Sequence, residues 1–240
     1  MEPMKSALIV VAALLATVAS AQEEQRPDQS PVQALREEPH HKLMFQNDAV
    51  RVYQLQLQPH EVTNRHRHEG FYIYVSLTPV TIGNEVRGRQ TVETALEANE
   101  VRTSKGGFNL AERNLSSQPA SLIVIELVRP NTGRFSTPLG GFRLHDAAFG
   151  ELFETSGIRA YTMTIAAEGR TDPYSEKYDR LILALSDLTL QDNVNGEKPA
   201  KLELKRGEVR WVTRGATHAI TNVGTQPATF ITVEFGIDQS

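Results

Sequence analysis

Residues 64–75 read NRHRHEGFYIYV. In an extended chain successive side chains point to opposite faces. His66 and His68 then share one face, and Arg65 and Arg67 share the other. The aromatic and β-branched run Phe71–Val75 that follows has strand composition. The stretch predicts two imidazoles aimed at the interior behind a sheet, with the arginines turned outward.

Working outward, the chain matches itself when displaced by 108 positions. Phe45 meets Phe153, Arg51 meets Arg159 and Tyr53 meets Tyr161. Further along, Asn114 meets Asn222, Pro119 meets Pro227, Ile123 meets Ile231 and Glu126 meets Glu234. One offset held over residues 45–126 predicts two tandem copies of one domain. Each copy reads as short strands. Val52–Leu57 and Ala160–Ile165 alternate in polarity, while Leu181–Leu185, Ala120–Leu127 and Thr229–Phe235 are rich in β-branched and apolar residues. Gly and Asn clusters separate the runs, and no helical stripe follows the N-terminal segment. Many short, evenly spaced strands predict an all-β sandwich or barrel.

The ends and the bulk composition add context. Ala7–Val18 is an apolar run after Lys5, and Ala19-Ser20-Ala21 is a small-residue cleavage pattern. Residues 1–21 are therefore expected to be a signal peptide, too short in its apolar run for a permanent span. Secretion or periplasmic localisation follows as an expectation. Absence of cysteine leaves the fold to be held by its own core. Residues 22–37 are polar and are expected to be a flexible lead-in. The domains are then 38–130 and 143–240, joined by a linker at 131–142 with Pro and Gly punctuation. A net charge of −4 gives no reason to expect nucleic acid as a partner.

The region from Glu38 through Val50–Tyr53 to His66-Arg67-His68 resembles the first motif of the cupin superfamily, in which H-x-H is followed by a Glu and a Gly. Gly207–Asn222 (GEVRWVTRGATHAITN) resembles the second, with a His and an Asn at its end. The resemblance implies a bicupin: two jelly-roll barrels, often holding a divalent metal through H-x-H, the Glu and the second-motif His. It also implies a small-molecule ligand and pairing of barrels into a homodimer.

Both halves depart from that pattern. In the first, His66 and His68 are present. The usual Glu falls at Tyr72 or Ile73, and the second-motif His falls at Leu110. Glu112, two residues on and on the same strand face, is a candidate substitute. In the second half His218 is present, but H-x-H has become Tyr174-Ser175-Glu176, and Arg180 and Asp179 occupy the region of the Glu. The metal candidates are thus His66, His68 and Glu112. The ligand-binding candidates are Tyr72, Tyr174, Glu176, Arg180 and His218. With Arg180 free, the second barrel would take a small anion or sugar acid; with Arg180 paired to Glu176 or Asp179, it would not. His40 and His41 read as a solvated pair at the domain entrance, and Trp211 as packing within the second barrel.

Three functional readings remain open at this point. One is a barrel pair with eroded metal sites that binds a small molecule with weak or no metal dependence. Another is a metal-dependent enzyme of dioxygenase or isomerase type built on His66 and His68, with Fe, Mn, Ni, Cu or Zn as the ion, since imidazole accepts all of these. The third is a non-catalytic dimerising scaffold.

Overall fold

A computed structural model describes residues 31–237 apart from 129, 131, 141 and 156. The expected signal peptide, residues 1–21, lies outside the described residues. No helix among the described residues is long and apolar enough to cross a membrane.

The first half contributes β1 (Gln33–Ala34), β2 (His41–Gln46), β3 (Val50–Leu57), β4 (His66–His68), β5 (Tyr72–Ser76), β6 (Val80–Val86), β7 (Val92–Leu96), β8 (Val101–Ser104), β9 (Phe108–Asn114) and β10 (Ala120–Leu127). The second contributes β11 (Leu144–Thr155), β12 (Ile158–Thr171), β13 (Tyr174–Ser175), β14 (Asp179–Ala184), β15 (Leu188–Val194), β16 (Ala200–Leu204), β17 (Val209–Val212), β18 (Thr217–Asn222) and β19 (Ala228–Phe235). A single 3-10 turn, Leu35–Glu37, is the one helical element among the described residues.

Two five-stranded sheets form in the first half, ordered β1-β4-β9-β6-β7 and β2-β3-β10-β5-β8. Leu55, Leu57, Leu122, Val80, Ile82 and Leu96 come from both sheets into one apolar cluster, so the sheets face each other. In the second half, one path runs β16-β15-β18-β12-β19-β14-β17, with β11 on β12 and β13 on β18. The result is an all-β, jelly-roll-like architecture of nearly closed barrels.

The same local bonds recur 108 residues apart. Asn114 Nδ2 donates to the carbonyls of Leu57, Gln58 and Gln118, at 3.3, 3.1 and 2.8 Å. Asn222 Nδ2 donates to those of Ile165, Ala166 and Gln226, at 2.9, 3.1 and 2.8 Å. Both side chains are buried. Each ties the end of a strand to the turn beside it, as an amide at such a position does.

Three sequence expectations need correction. The lead-in is ordered from residue 33: β1 pairs in parallel with β4, Gln33 opposite His66 and Ala34 opposite Arg67. Arg65 does not turn outward into water; it is buried and donates to the Glu85 carbonyl at 2.8 Å. Trp211 is not confined to the second barrel. Its ring stacks on Phe45 of the first half at 6.3 Å and lies 5.1 Å from Phe235.

The last point has a general cause. The largest apolar cluster joins the halves: Val50, Val52, Ile73, Val75, Ile123 and Ile125 meet Ile158, Ala160, Leu181, Leu183, Ile231 and Val233. On β3, Val50 and Val52 face this shared core while Tyr53, Leu55 and Leu57 face the barrel interior. The strand's alternation therefore changes phase between Val52 and Tyr53, and each of its faces is apolar over part of its length.

Candidate metal centre and the second barrel

His66 and His68 lie on β4 and are fully buried. β4 runs antiparallel to β9, with His66 opposite Leu110. Glu112 lies two residues past Leu110, so it returns to the same face. His41 opens β2, in the facing sheet. The donor atoms of His41, His66, His68 and Glu112 all lie within 4.8 Å of one another, and all four residues are buried. Sequence reasoning placed His41 in solvent; it is 4% exposed and belongs to the cluster. The first barrel therefore presents four converging donors, not the eroded pair the motif suggested.

Three of the donor pairs have the spacing of a chelating set. His66 Nε2 and His68 Nε2 are 3.1 Å apart, His41 Nε2 and Glu112 Oε2 3.4 Å, and His66 Nε2 and Glu112 Oε2 3.5 Å. Metal–ligand bonds of about 2.0–2.2 Å place neighbouring donors about 2.9–3.6 Å apart for right-angled to tetrahedral arrangements. His41 Nε2 and Glu112 Oε2 make no hydrogen bond although both are buried. Buried polar atoms left in this way are uncommon and call for a partner.

The outer nitrogens are held so that the inner ones point at the cluster. His41 Nδ1 lies 2.8 Å from Glu38 Oε2, and His66 Nδ1 lies 2.9 Å from the Asn64 carbonyl. With the proton on Nδ1 in each ring, Nε2 presents its lone pair inward. Glu38 links the two supports: its Oε1 accepts the Asn64 amide at 3.0 Å, so one buried carboxylate orders His41 directly and His66 through the loop before β4. His68 Nδ1 has no hydrogen-bond partner. Its ring is fixed instead by stacking on Tyr72, 4.0 Å between centroids and 19° between planes.

Burial and charge act against each other here. Burial disfavours a charged His41, but the Glu112 and Glu38 carboxylates outweigh it and hold the imidazole proton up to about 9. Burial likewise opposes ionised Glu112, and the His41 contact outweighs it, leaving the carboxyl at about 2. Burial carries His68 down to about 3, keeping that ring neutral. Two neutral imidazoles, an anionic carboxylate and a third imidazole whose proton a cation would displace form a donor set suited to a divalent ion. The residues fit the metal that the fold implies.

Leu35, from the 3-10 turn, packs on Tyr53, Tyr72 and Val124. A cavity of 260 Å³ remains beside it, lined by Leu35, Arg36, Arg51, Arg67 and Glu126 among others.

The second barrel has no such donor set. Among the described residues no other group of three or more such side chains converges. At the positions matching His66, His68, Glu112 and His41 stand Tyr174, Glu176, Ile220 and Phe149. Arg180 Nη1 pairs with Glu176 at 2.7 Å, both buried. Asp179 does not join them; its Oδ1 accepts the Arg214 amide at 2.9 Å. His218 Nδ1 lies 2.7 Å from Asp192 Oδ2, a partner that sequence reasoning did not name. Tyr174 lies 6.2 Å from the His218 ring, and the Arg180 guanidinium 5.5 Å from the Tyr174 ring. Tyr174, Glu176, Arg180 and His218 are thus neighbours, whereas Tyr72 belongs to the first barrel.

No protein-family model and no curated relative matches the sequence. Solved structures do match by fold. Salicylate 1,2-dioxygenase from Pseudoaminobacter salicylatoxidans, in complex with gentisate, superposes with a TM-score of 0.58 at 12% identity over 85% of this chain and 76% of that one. Oxalate decarboxylase from Lactobacillus farciminis, in a formate complex, gives 0.58 at 12% over 80% and 78%. A cupin 2 conserved barrel domain protein from Leptotrichia buccalis gives 0.51 at 13% over 81% and 88%. From its strand plan and these superpositions, the chain has the cupin fold.

Proposed function

We propose that the first barrel is a divalent metal centre held by His41, His66, His68 and Glu112, and that the protein is a metal-dependent enzyme acting on a small substrate. The observation that carries this reading is the convergence of four buried donor atoms within 4.8 Å, two of them otherwise without a hydrogen-bond partner. A dioxygenase and a decarboxylase among the structures of similar fold accord with it.

A bound divalent ion would supply Lewis acidity and open coordination positions for substrate. The chain's own residues do the rest. Glu38 and the Asn64 carbonyl keep His41 and His66 in the ligating tautomer. Tyr72 holds His68 by stacking. Leu35 adds apolar cover against Tyr72.

Metal analysis of the purified chain tests the proposal. About one equivalent is expected, since a closed three- or four-ligand site binds tightly. His41→Ala, His66→Ala and Glu112→Ala should each lower it strongly. Metal content under about a tenth of an equivalent after loading and desalting, in a folded chain, would count against it.

A further inference from the structure

We infer, resting on the metal-centre reading above, that Glu61 and His40 are positioning residues of the first barrel: a chain of side chains running from the surface carboxylate of Glu61 through His40 and Glu38 holds the His41 ring in place among the donors. Strand pairing does not do this. His41 opens β2, at the end of one sheet, whereas His66, His68 and Glu112 stand on β4 and β9 of the other. Among the described residues no backbone ladder joins β2 to β4, so side chains and the loops they bind span the gap.

The chain is continuous. Glu61 Oε1 lies 3.1 Å from His40 Nε2, His40 Nδ1 lies 2.8 Å from Glu38 Oε1, and Glu38 Oε2 lies 2.8 Å from His41 Nδ1. Both carboxylates are anchored in backbone. Glu61 Oε2 accepts the Gln58 amide at 2.7 Å, and the Glu61 carbonyl accepts the Asn114 amide at 2.9 Å, at the end of the strand that carries Glu112. Glu38 accepts the amides of His40 and His41 at 2.8 and 3.1 Å, and that of Asn64 at 3.0 Å. A carboxylate offers about four lone-pair sites, so Glu38 is saturated and turns only if a bond breaks. Removing Glu61 releases the outer nitrogen of His40, and a loosened His40 ring no longer fixes the carboxylate behind His41.

The second half supplies an internal comparison. The Thr63 hydroxyl accepts the Glu112 amide at 2.9 Å, and 108 positions on the Thr171 hydroxyl accepts the Ile220 amide at 3.0 Å. That bond occurs with and without metal donors, so it belongs to the fold. The chain from Glu61 does not recur. Asp146, Ala148 and Gly169 stand 108 positions beyond Glu38, His40 and Glu61, although the strand register is the same, His41 opposite Leu55 and Phe149 opposite Met163. Ala148 and Gly169 have no side-chain polar atom to offer. The chain is thus present in the barrel where four donors converge and missing from the one where they do not. Stability is no sufficient reason for it: the His40 and Glu61 side chains are 23% and 38% exposed, and pairs so exposed contribute little to folding.

Competition titration of the full chain with Co²⁺ against a chelator tests this, using Glu61→Ala, His40→Ala and the double variant. His40→Ala should weaken cobalt binding roughly 10-fold or more, as loss of a group behind a ligand does. Glu61→Ala should weaken it roughly 3–10-fold, the loss of one hydrogen bond. The double variant should bind no more weakly than His40→Ala, because Glu61 acts through His40. The visible absorption of bound cobalt, which reports the arrangement of its donors, should change in the same sense in both single variants. The thermal transition of the metal-free chain should move by no more than about 2–4 °C, which separates positioning from a folding defect. Wild-type affinity and spectrum in Glu61→Ala, or losses that add in the double variant, would overturn the inference and leave the metal centre standing. Absence of cobalt binding by the wild-type chain would overturn both.

Discussion

Glu38 shows how much of a site depends on residues that touch no substrate. Its two oxygens reach His41, His40 and the Asn64 amide, and burial that would raise its pKa is outweighed by His41, so it stays ionised down to about 2. Carboxylates behind a ligating histidine commonly contribute 10–100-fold in metal affinity, so Glu38→Gln should weaken metal binding by about that much in a competition titration. Glu37→Gln, at an exposed neighbour, should leave it unchanged. His66 and His68 were legible because H-x-H on a strand has one geometric meaning. Glu112 was legible as an option through its two-residue step from Leu110. His41 was not, because it lies before its strand's alternation is established and a bulge between Leu43 and Phe45 then breaks it. A signal did exist: the residues 108 positions beyond His41 and Glu112 are Phe149 and Ile220, apolar side chains that mark both positions as interior.

At the scale of elements, strands were readable and their coverings were not. Alternation marked β3 and β12, whereas nothing in the polar composition of residues 31–37 predicted a strand and a turn lying over the first barrel. Their order comes from tertiary contacts: the Gln33 amide donates to the Arg65 carbonyl at 2.9 Å, and Leu35 enters the apolar space above Tyr72. Two residue pairs of parallel sheet hold β1, so local opening there is less costly than opening of the core. Replacing a buried leucine by alanine costs about 2–5 kcal/mol, so Leu35→Ala should speed metal loss to a chelator by roughly 10-fold or more. A disulfide in Ala34→Cys/Arg67→Cys, across a paired position in a chain that has no other cysteine, should slow the same loss until it is reduced. Equal rates in all forms would show that these residues do not control access.

The two halves behave as one molecule because their best-buried side chains are shared. The repeat gave the strand plan and the matched Asn114 and Asn222 bonds in both halves, but an offset between two stretches says nothing of how the stretches pack. Leu181 is fully buried in the joint core, and Leu181→Ala should cost about 2–5 kcal/mol while lowering a single calorimetric transition for both halves. Two separate transitions, with only one shifted, would contradict a shared core. The central claim concerns the first barrel, and anomalous diffraction from a crystal of the metal-loaded chain at the ion's absorption edge tests it most directly. A single strong peak within bonding distance of His41, His66, His68 and Glu112 is the predicted result; a peak elsewhere, or none in crystals of fully loaded protein, would contradict it.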